Sequence, residues 1–262
     1  MDRHLQAGTK PPASLAARVE ETCLNAWPAL QEVHYDGWLL RLADGKTRRT
    51  NSVNVLREGQ RPLAEKIAFC EDFYRRHQLP THFRILSTAH DELDAALQAR
   101  GYTAEDETST LYMDFAEQAP QPASLHVELQ ASAPSAEWVN ARLAITQQGP
   151  DTRMKLEKIL QQLALPAIFA AARSQSGSID AVAKGAIHDR IVCLNLVATR
   201  KTQLRQGLSK ACVSAILNWA KHEGATGACL QVVSANTPAV SLYRKLGFTH
   251  ELYRYHYRTK PG

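Results

Sequence analysis

The sequence lacks the features that mark a membrane span, a disulfide framework or a zinc motif. Its longest apolar run, Leu163 to Ala172, has ten residues and contains Pro166, whereas a bilayer-spanning helix needs about 20. The five cysteines are an odd set without a CxxC pair, which argues against disulfide frameworks and zinc sites. The first residues do not include the apolar segment that is typical of a secretory signal. We therefore predict a reduced, cytoplasmic protein with no metal and no membrane partner.

The composition is that of a folded globular protein of about two domains. The chain has 262 residues, of which 44% are hydrophobic and 22% are charged, both ordinary values for a soluble fold. A length of about 150 residues per domain predicts two domains. The segment 116–124 contains two prolines and small residues that interrupt any periodicity. We interpret it as a linker between domains 1–118 and 119–262.

Strands and helices alternate along both halves, which predicts an α/β or α+β chain with a mixed sheet. In the first half the hydrophobic pattern predicts helices at 15–26, 63–77 and 92–100 and strands at 38–43, 47–55, 82–86 and 108–115, the first two strands joined at Asp44-Gly45. In the second half it predicts strands at 126–130, 167–173, 179–187, 190–199, 228–233 and 250–257 and helices at 136–147, 153–163, 207–222 and 238–246.

Positive charge is concentrated near the C-terminus. From Arg200 onward ten basic residues stand against two acidic ones, a net charge of +8, whereas the first 199 residues carry −3. Such a field attracts nucleic acid, an acidic protein or a phosphorylated cofactor, although a solvated basic surface is an equal alternative. Because aromatic RNA-binding motifs and basic runs are missing, we predict no nucleic-acid partner.

The segment that indicates a ligand-binding site begins with the strand IVCLNLVAT and the loop TRKTQLRQGLSKA. Gly207 has no side chain, so neighbouring backbone amides can approach a ligand closely. The helix that follows directs its free N–H groups and positive dipole end to the same place, as pyrophosphate binding requires. Arg205 and Lys210 add formal charge beside these amides.

The segments that follow resemble the GCN5-related N-acetyltransferases. NTPAVSLYRKLGF matches their second signature, N-x-x-A-x-x-L-Y-x-x-x-G-F, at six positions, and RQGLSK resembles the first signature, Q/R-x-x-G-x-G/A. Leu204 and Ser209 depart from the first signature. The resemblance covers residues 125–257. The matching positions are Asn236, Ala239, Leu242, Tyr243, Gly247 and Phe248.

This resemblance implies an enzyme that moves the acetyl group of acetyl-CoA directly to a primary amine in a ternary complex. Tyr243 would donate a proton to the departing thiolate, unless its ring only packs against the sheet. Asn236 would contact the cofactor, unless it caps the helix, a role for which Thr237 is the other candidate. Asn195 would reach the catalytic cleft or be a hydrogen-bonded core residue. The implied cofactor-binding residues are Val197, Thr199, Arg205, Gln206, Gly207, Leu208, Ser209, Lys210, Asn236, Ala239 and Leu242.

The first half resembles the N-terminal part of two-domain members, in which a degenerate acetyltransferase-like half packs on the active one. The text WLLR…TRRTNSV carries this resemblance. It implies a tandem fold in which Trp38, Arg49 and Asn51 line the acceptor pocket, with Arg49 and Asn51 on one face of a strand. A solvent-facing edge strand is the alternative.

The sequence leaves the amine acceptor, the general base and the oligomeric state open. Small amines, amino acids and protein lysines all remain possible acceptors. A non-catalytic acetyl-CoA sensor is the alternative function, and the presence of Tyr243 favours the enzyme.

Overall fold

A computed structural model of the chain describes residues 13–43, 47–88, 91–175 and 177–260. In this part of the chain no helix is both long enough and apolar enough to cross a membrane. The strands described are β1 Gln31–Tyr35, β2 Trp38–Leu42, β3 Val53–Val55, β4 His82–Leu86, β5 Thr103–Asp114, β6 Glu128–Ala131, β7 Ala167–Arg173, β8 Ile179–His188, β9 Ile191–Thr199, β10 Gly227–Val233 and β11 His250–Thr259. The α-helices are α1 Ala13–Ala26, α2 Leu63–Arg76, α3 Asp91–Ala99, α4 Ala136–Ile145, α5 Pro150–Gln161, α6 Leu208–His222 and α7 Thr237–Lys245.

All eleven described strands form one mixed sheet. Their order is β1-β2-β3-β4-β11-β5-β10-β9-β8-β7-β6. The last strand of the chain, β11, therefore lies between β4 and β5, and β5 lies between β11 and β10. Each predicted half thus adds its final strand to the sheet of the other half. The two halves are connected by a continuous backbone hydrogen-bond network at the centre of the sheet.

The two halves repeat one topology. In the first half β3 pairs in parallel with β4 and α2 connects them, while in the second half β9 pairs in parallel with β10 and α6 connects them. A helix then leads to a glycine with positive φ, an aromatic residue and a long strand in each half. The glycines are Gly101 (φ 82°) and Gly247 (φ 106°). The boundary between residues 118 and 119 stays a prediction.

The predicted strand 47–55 is wrong over most of its length. Arg48–Thr50 form a short 3₁₀ helix, and only Val53–Val55 is a strand. Arg49 and Asn51 therefore do not share a strand face. The sequence prediction also missed β1, which pairs with β2 through the two-residue turn Asp36-Gly37 (φ 45° and 84°). Positive φ at both positions suits Asp-Gly. The predicted turn at Asp44-Gly45 lies outside the described residues.

Helix α1 packs on β8, β9 and β10 and contributes to the same hydrophobic cluster as α4 and α5. At its surface the Arg18 Nε lies 2.5 Å from the Asp189 carboxylate. At its end the Lys184 Nζ on β8 donates to the Ala26 carbonyl oxygen at 2.6 Å. Lys184 is fully buried, and this burial lowers its pKa to about 7. A buried amine therefore fixes the end of α1 on the sheet.

The substitution Lys184→Met is expected to flatten the rise of stability with pH between about pH 7 and pH 10. The pKa of Lys184 lies below the ordinary lysine value, so the unfolded chain binds more protons than the folded protein in this interval. This raises the unfolding free energy of the parent by up to about 1.4 kcal/mol per pH unit. Urea unfolding at several pH values measures it. Lys221→Met, at an exposed site on α6, is the control, and equal pH slopes for Lys184→Met and the parent would contradict the account.

Candidate active site

The central feature of the site is a separation between β9 and β10. These parallel strands pair only from Ile191–Leu194 with Gly227–Leu230, although β9 continues to Thr199 and β10 to Val233. On the other side of β9 the register against β8 shifts, so that Ala183 lies opposite both Leu196 and Val197. Leu196 has a φ of 55°, the left-handed conformation that one type of β-bulge has at its first residue. Backbone groups of the bulge therefore lie at the opening between the strands.

The loop after β9 forms the start of α6. Gly207 is the N-cap residue with a φ of 81°, and no side chain caps the helix. A Cβ at Gly207 would meet no atom within 4 Å, so this position faces open space. No described residue accepts a hydrogen bond from the backbone amides of residues 206–210. The first N–H groups of α6 are therefore free to bind an anion.

Side chains around this loop fix its base and add positive charge. The hydroxyls of Thr199 and Ser209 share a hydrogen bond, which ties the end of β9 to the first turn of α6. Lys201, Arg205 and Lys210 are exposed, and in the described part of the chain none of them has a carboxylate partner. Leu204, which replaces the arginine or glutamine of the signature, is 56% exposed.

The corresponding loop of the first half is filled by a side chain from the turn between β1 and β2. Between β3 and α2, the backbone amides of Gln60 and Arg61 donate to the Asp36 carboxylate at 3.0 and 2.9 Å. These two bonds hold the pKa of Asp36 below its ordinary value. Lys66 Nζ lies 3.3 Å from the same carboxylate. The chain itself thus supplies the anion at this loop, whereas the loop at 206–210 has none.

Tyr243 lies on the inner side of α7. Its ring meets Phe248 edge to face at 5.9 Å and belongs to the hydrophobic cluster that includes Leu208 and Val232. Burial raises the pKa of its phenol to about 12, so the hydroxyl keeps its proton at neutral pH. None of the described residues hydrogen-bonds this hydroxyl. The ring therefore packs in the hydrophobic core, while the hydroxyl is still available as a hydrogen-bond donor.

Asn236, and not Thr237, caps α7. Its side-chain oxygen accepts a hydrogen bond from the Ala239 amide at 3.3 Å, and Thr237 is already the first helical residue. Of the two candidates for this cap, Asn236 is therefore the one that fills the role. Ala239 and Leu242 pack against the cluster that contains Tyr243.

Asn195 is the first residue of β9 beyond the last pair with β10. It is 6% exposed, and its amide nitrogen donates to the Cys193 Sγ at 3.1 Å. Its side-chain oxygen is buried without a partner. Asn195 is thus a core residue beside the opening, hydrogen-bonded through one of its two polar atoms.

Three cysteines from different elements meet beneath Asn195, and sequence reasoning missed them because no local motif links them. The Cys23 Sγ lies 3.8 Å from the Sγ of both Cys193 and Cys229. These three buried thiols lie close enough together to ligate one metal ion, and the described part of the chain has no other such group of thiols, imidazoles or carboxylates. Burial raises the pKa of Cys229, whereas hydrogen bonds with Cys229 and Cys23 lower the pKa of Cys193.

The three acceptor residues expected from the first half do not come together. Trp38 is 3% exposed and belongs to a separate core with Phe83. The Asn51 side chain accepts from the Ala43 amide at 2.8 Å and donates to the Thr47 carbonyl oxygen, which closes a turn. Arg49 instead lies over the Trp27 ring, 5.8 Å from its centroid.

The duplicated mixed sheet, the separated parallel strands and the open loop before α6 define the class of GCN5-related N-acetyltransferases. Comparisons with known proteins agree. A sequence model of the family described as "Probable histone acetyltransferase Rv0428c C-terminal" matches residues 14–257, so the chain belongs to this acetyltransferase family.

Relatives of the whole chain support the same assignment. The Bacillus subtilis (strain 168) protein named "Uncharacterized N-acetyltransferase YobR" is 25% identical over 246 residues, which are 93% of this chain and 98% of that protein. A GCN5-related N-acetyltransferase from Kribbella flavida has a TM-score of 0.65 at 18% identity, with 95% of each chain covered. A tandem protein of this type from the clavulanic acid biosynthesis pathway has a TM-score of 0.65 at 12% identity, covering 97% of this chain and 90% of its own.

Proposed function

We propose that the protein transfers the acetyl group of acetyl-CoA directly to a primary amine, in a complex that contains both substrates. The observation that carries this proposal is the set of unpartnered backbone amides at 206–210, at the mouth of the opening between β9 and β10. Lys201, Arg205 and Lys210 are exposed and lie within or next to this loop in the sequence. A diphosphate is the group that this combination of free N–H groups, helix dipole and positive charge suits best.

Acetyl-CoA fits the residues present. Open space at Gly207 leaves room for phosphate oxygens beside the amides. The bulge residues Leu196 and Val197, together with Thr199, offer backbone groups to an extended arm. Bound acetyl-CoA supplies a thioester carbonyl that an amine can attack. A backbone amide of the bulge would then stabilise negative charge on the carbonyl oxygen.

Tyr243 is the proton donor of this proposal. A phenol with a pKa of about 12 is neutral across the physiological range, so it can hydrogen-bond a thiolate as negative charge develops on sulfur. Because the hydroxyl has no partner in the described protein, it would not have to break an internal bond first. Burial of the ring keeps the hydroxyl in one place.

In this proposal, water accepts the proton that the attacking amine loses. Asn195 has an amide and cannot act as a base at neutral pH. The buried Glu20 carboxylate accepts from Arg84 Nη2 at 3.0 Å and from the Tyr253 hydroxyl at 2.6 Å, and Arg84 holds its pKa low despite burial. We therefore assign Asn195 a positioning role beside the opening and place no side chain as the base.

Two further parts of the proposal concern organisation and location. The repeated topology supports a degenerate half at 1–118 and a catalytic half at 119–262, since Asp36 fills the loop of the first. The five cysteines are buried and unpaired, which supports a reducing, cytoplasmic location.

The test of this function is acetyl-CoA turnover with a panel of primary amines that includes small amines, amino acids and a histone-type lysine peptide. The peptide is included because the family description names a histone acetyltransferase. Amine-dependent release of CoA is expected. Saturable acetyl-CoA binding without CoA release under any acceptor would instead establish a sensor.

The substitution Gly207→Ala is expected to weaken acetyl-CoA binding about tenfold, or about 1.4 kcal/mol. A residue with a Cβ resists a φ of 81°, so the loop would turn its amides away from the diphosphate. Gly224→Ala is the matched control, because Gly224 follows the other end of α6 with a φ of 82° and a Cβ there would meet no atom within 4 Å. Calorimetric titration with acetyl-CoA measures both. Equal affinity in the two variants would remove the loop from the binding site.

The substitution Tyr243→Phe is expected to lower kcat by about two orders of magnitude while the acetyl-CoA Kd changes less than about twofold. The ring packing survives and only the donor hydroxyl is lost. Tyr35→Phe serves as the control, since Tyr35 stacks on Phe69 in the first half. Steady-state kinetics at saturating substrates give the answer, and an unchanged kcat for Tyr243→Phe would rule out the donor role.

A further inference from the structure

Three buried cysteines lie together between α1 and the sheet, and we call them the cysteine cluster. Cys23 comes from α1, Cys193 from β9 and Cys229 from β10. Cys193 and Cys229 are partners in the parallel pairing of β9 with β10, one residue before that pairing ends. Cys23 reaches them from the helix that packs on both strands. The cysteine cluster therefore joins the first half of the chain to the second, directly beside the opening.

The sulfur atoms of the cysteine cluster have the spacing of thiolates around one metal ion. The Cys23 Sγ lies 3.8 Å from each of the other two, and all three lie within 4.8 Å of one another. An ion equidistant from sulfurs at these separations would lie about 2.2 to 2.5 Å from each, which includes the length of a zinc–thiolate bond, about 2.3 Å. The three side chains can therefore bind one zinc ion without a rearrangement of the elements that carry them.

Asn195 places a further polar group beside the cysteine cluster. Its side chain is 6% exposed, and its amide nitrogen lies 3.1 Å from the Cys193 Sγ. Its oxygen is buried without a hydrogen-bond partner in the described protein, which is unfavourable for a polar atom. A half turn of the amide exchanges the two atoms and directs this oxygen at the sulfurs. Structural zinc is almost always bound by four ligands, and the Asn195 oxygen is available as the fourth.

The charges around the cysteine cluster favour a divalent cation. Three thiolates and one divalent cation have a net charge of −1. The Lys184 ammonium on β8 is buried near enough to act electrostatically on Cys193, and it brings the charge of the buried group to zero. Glu20 also acts on Cys23, but Arg84 neutralises that carboxylate. A monovalent cation would leave one negative charge uncompensated in the core, which is costly.

We propose that the cysteine cluster binds one zinc ion, with the Asn195 side-chain oxygen as the fourth ligand, and that the ion fixes α1 to β9 and β10. The role is structural, since side chains fill all four positions. Binding releases the protons of the three thiols. The site takes no part in the proposed acetyl transfer and does not depend on it. The lack of a CxxC pair predicts no zinc site from the sequence, but it concerns only neighbours in the chain, whereas these ligands come from three separate elements.

The experiment measures the zinc content of the full chain. The protein is produced in zinc-supplemented medium, purified under reducing conditions without a metal-affinity column, and analysed by elemental mass spectrometry. The variants are Cys23→Ala, Cys229→Ala and Asn195→Ala. Cys70→Ala is the matched control, because Cys70 is also a buried free thiol but lies in the separate core of the first half. Thermal melting with and without a chelator shows whether each variant folds and whether the metal stabilises it.

About one zinc ion per chain is expected in the parent and in Cys70→Ala, and none in Cys23→Ala or Cys229→Ala. Asn195→Ala is expected to bind zinc about 10- to 100-fold more weakly in competition with a chromogenic chelator, the loss typical when a group that supports a metal site is removed. The chelator is expected to lower the melting temperature of the parent and of Cys70→Ala but not that of Cys23→Ala.

A second preparation of the parent, made in cadmium-supplemented medium, keeps the test decisive if the cysteine variants do not fold. Cadmium bound by three thiolates gives an ultraviolet charge-transfer band, and its absence would overturn the proposal. A count of free thiols in denaturant identifies the alternatives. Five free thiols without bound metal would leave the cysteine cluster as core packing, and three would indicate a disulfide. Zinc retained by Cys23→Ala and Cys229→Ala would place the ion elsewhere, and each of these results overturns the zinc site while leaving acetyl transfer untouched.

Discussion

The separation of β9 from β10 is the constraint on which the proposed chemistry depends. Parallel strands joined by α6 would ordinarily continue to pair, but the bulge at Leu196 and Val197 adds one residue to β9 and turns it away. The pairing with β10 therefore ends at Leu194 and Leu230. Backbone groups that a regular sheet would satisfy internally are left for a ligand. The free amides at the start of α6 lie at the end of the same strand, tied to it by the Thr199–Ser209 hydrogen bond.

Duplication explains why the fold contains one such site and a closed counterpart. Both halves have a parallel strand pair joined by a helix, and both exchange their final strands at the centre of the sheet. In the first half Asp36 occupies the amides of the loop with its carboxylate, so this loop needs no external anion. That half instead contributes α1 and the Arg49 segment to the face of the sheet beside the opening. In the proposed function, the first half thus builds part of the surroundings of the site in the second half.

Features encoded locally were predictable from the sequence, and features made by distant contacts were not. The Gly207 loop, the α7 signature and the fold class follow from residue types within short segments, because φ preferences and helix caps act over a few residues. The hairpin at Asp36-Gly37 was missed because the strand before it, QEVHY, has few apolar residues. The Asp36 carboxylate at Gln60 and the cluster of Cys23, Cys193 and Cys229 join residues far apart in sequence, so no local pattern predicts them. Asn236 caps α7, although the side chains of both Asn236 and Thr237 are suited to that role.

A crystal structure of the protein with CoA tests the central claim most directly. The account predicts the diphosphate against the backbone amides of residues 206–210, with the arm of CoA between β9 and β10 and its sulfur near the Tyr243 hydroxyl. CoA bound elsewhere, or a closed β9–β10 pair with those amides bonded within the protein, would contradict it.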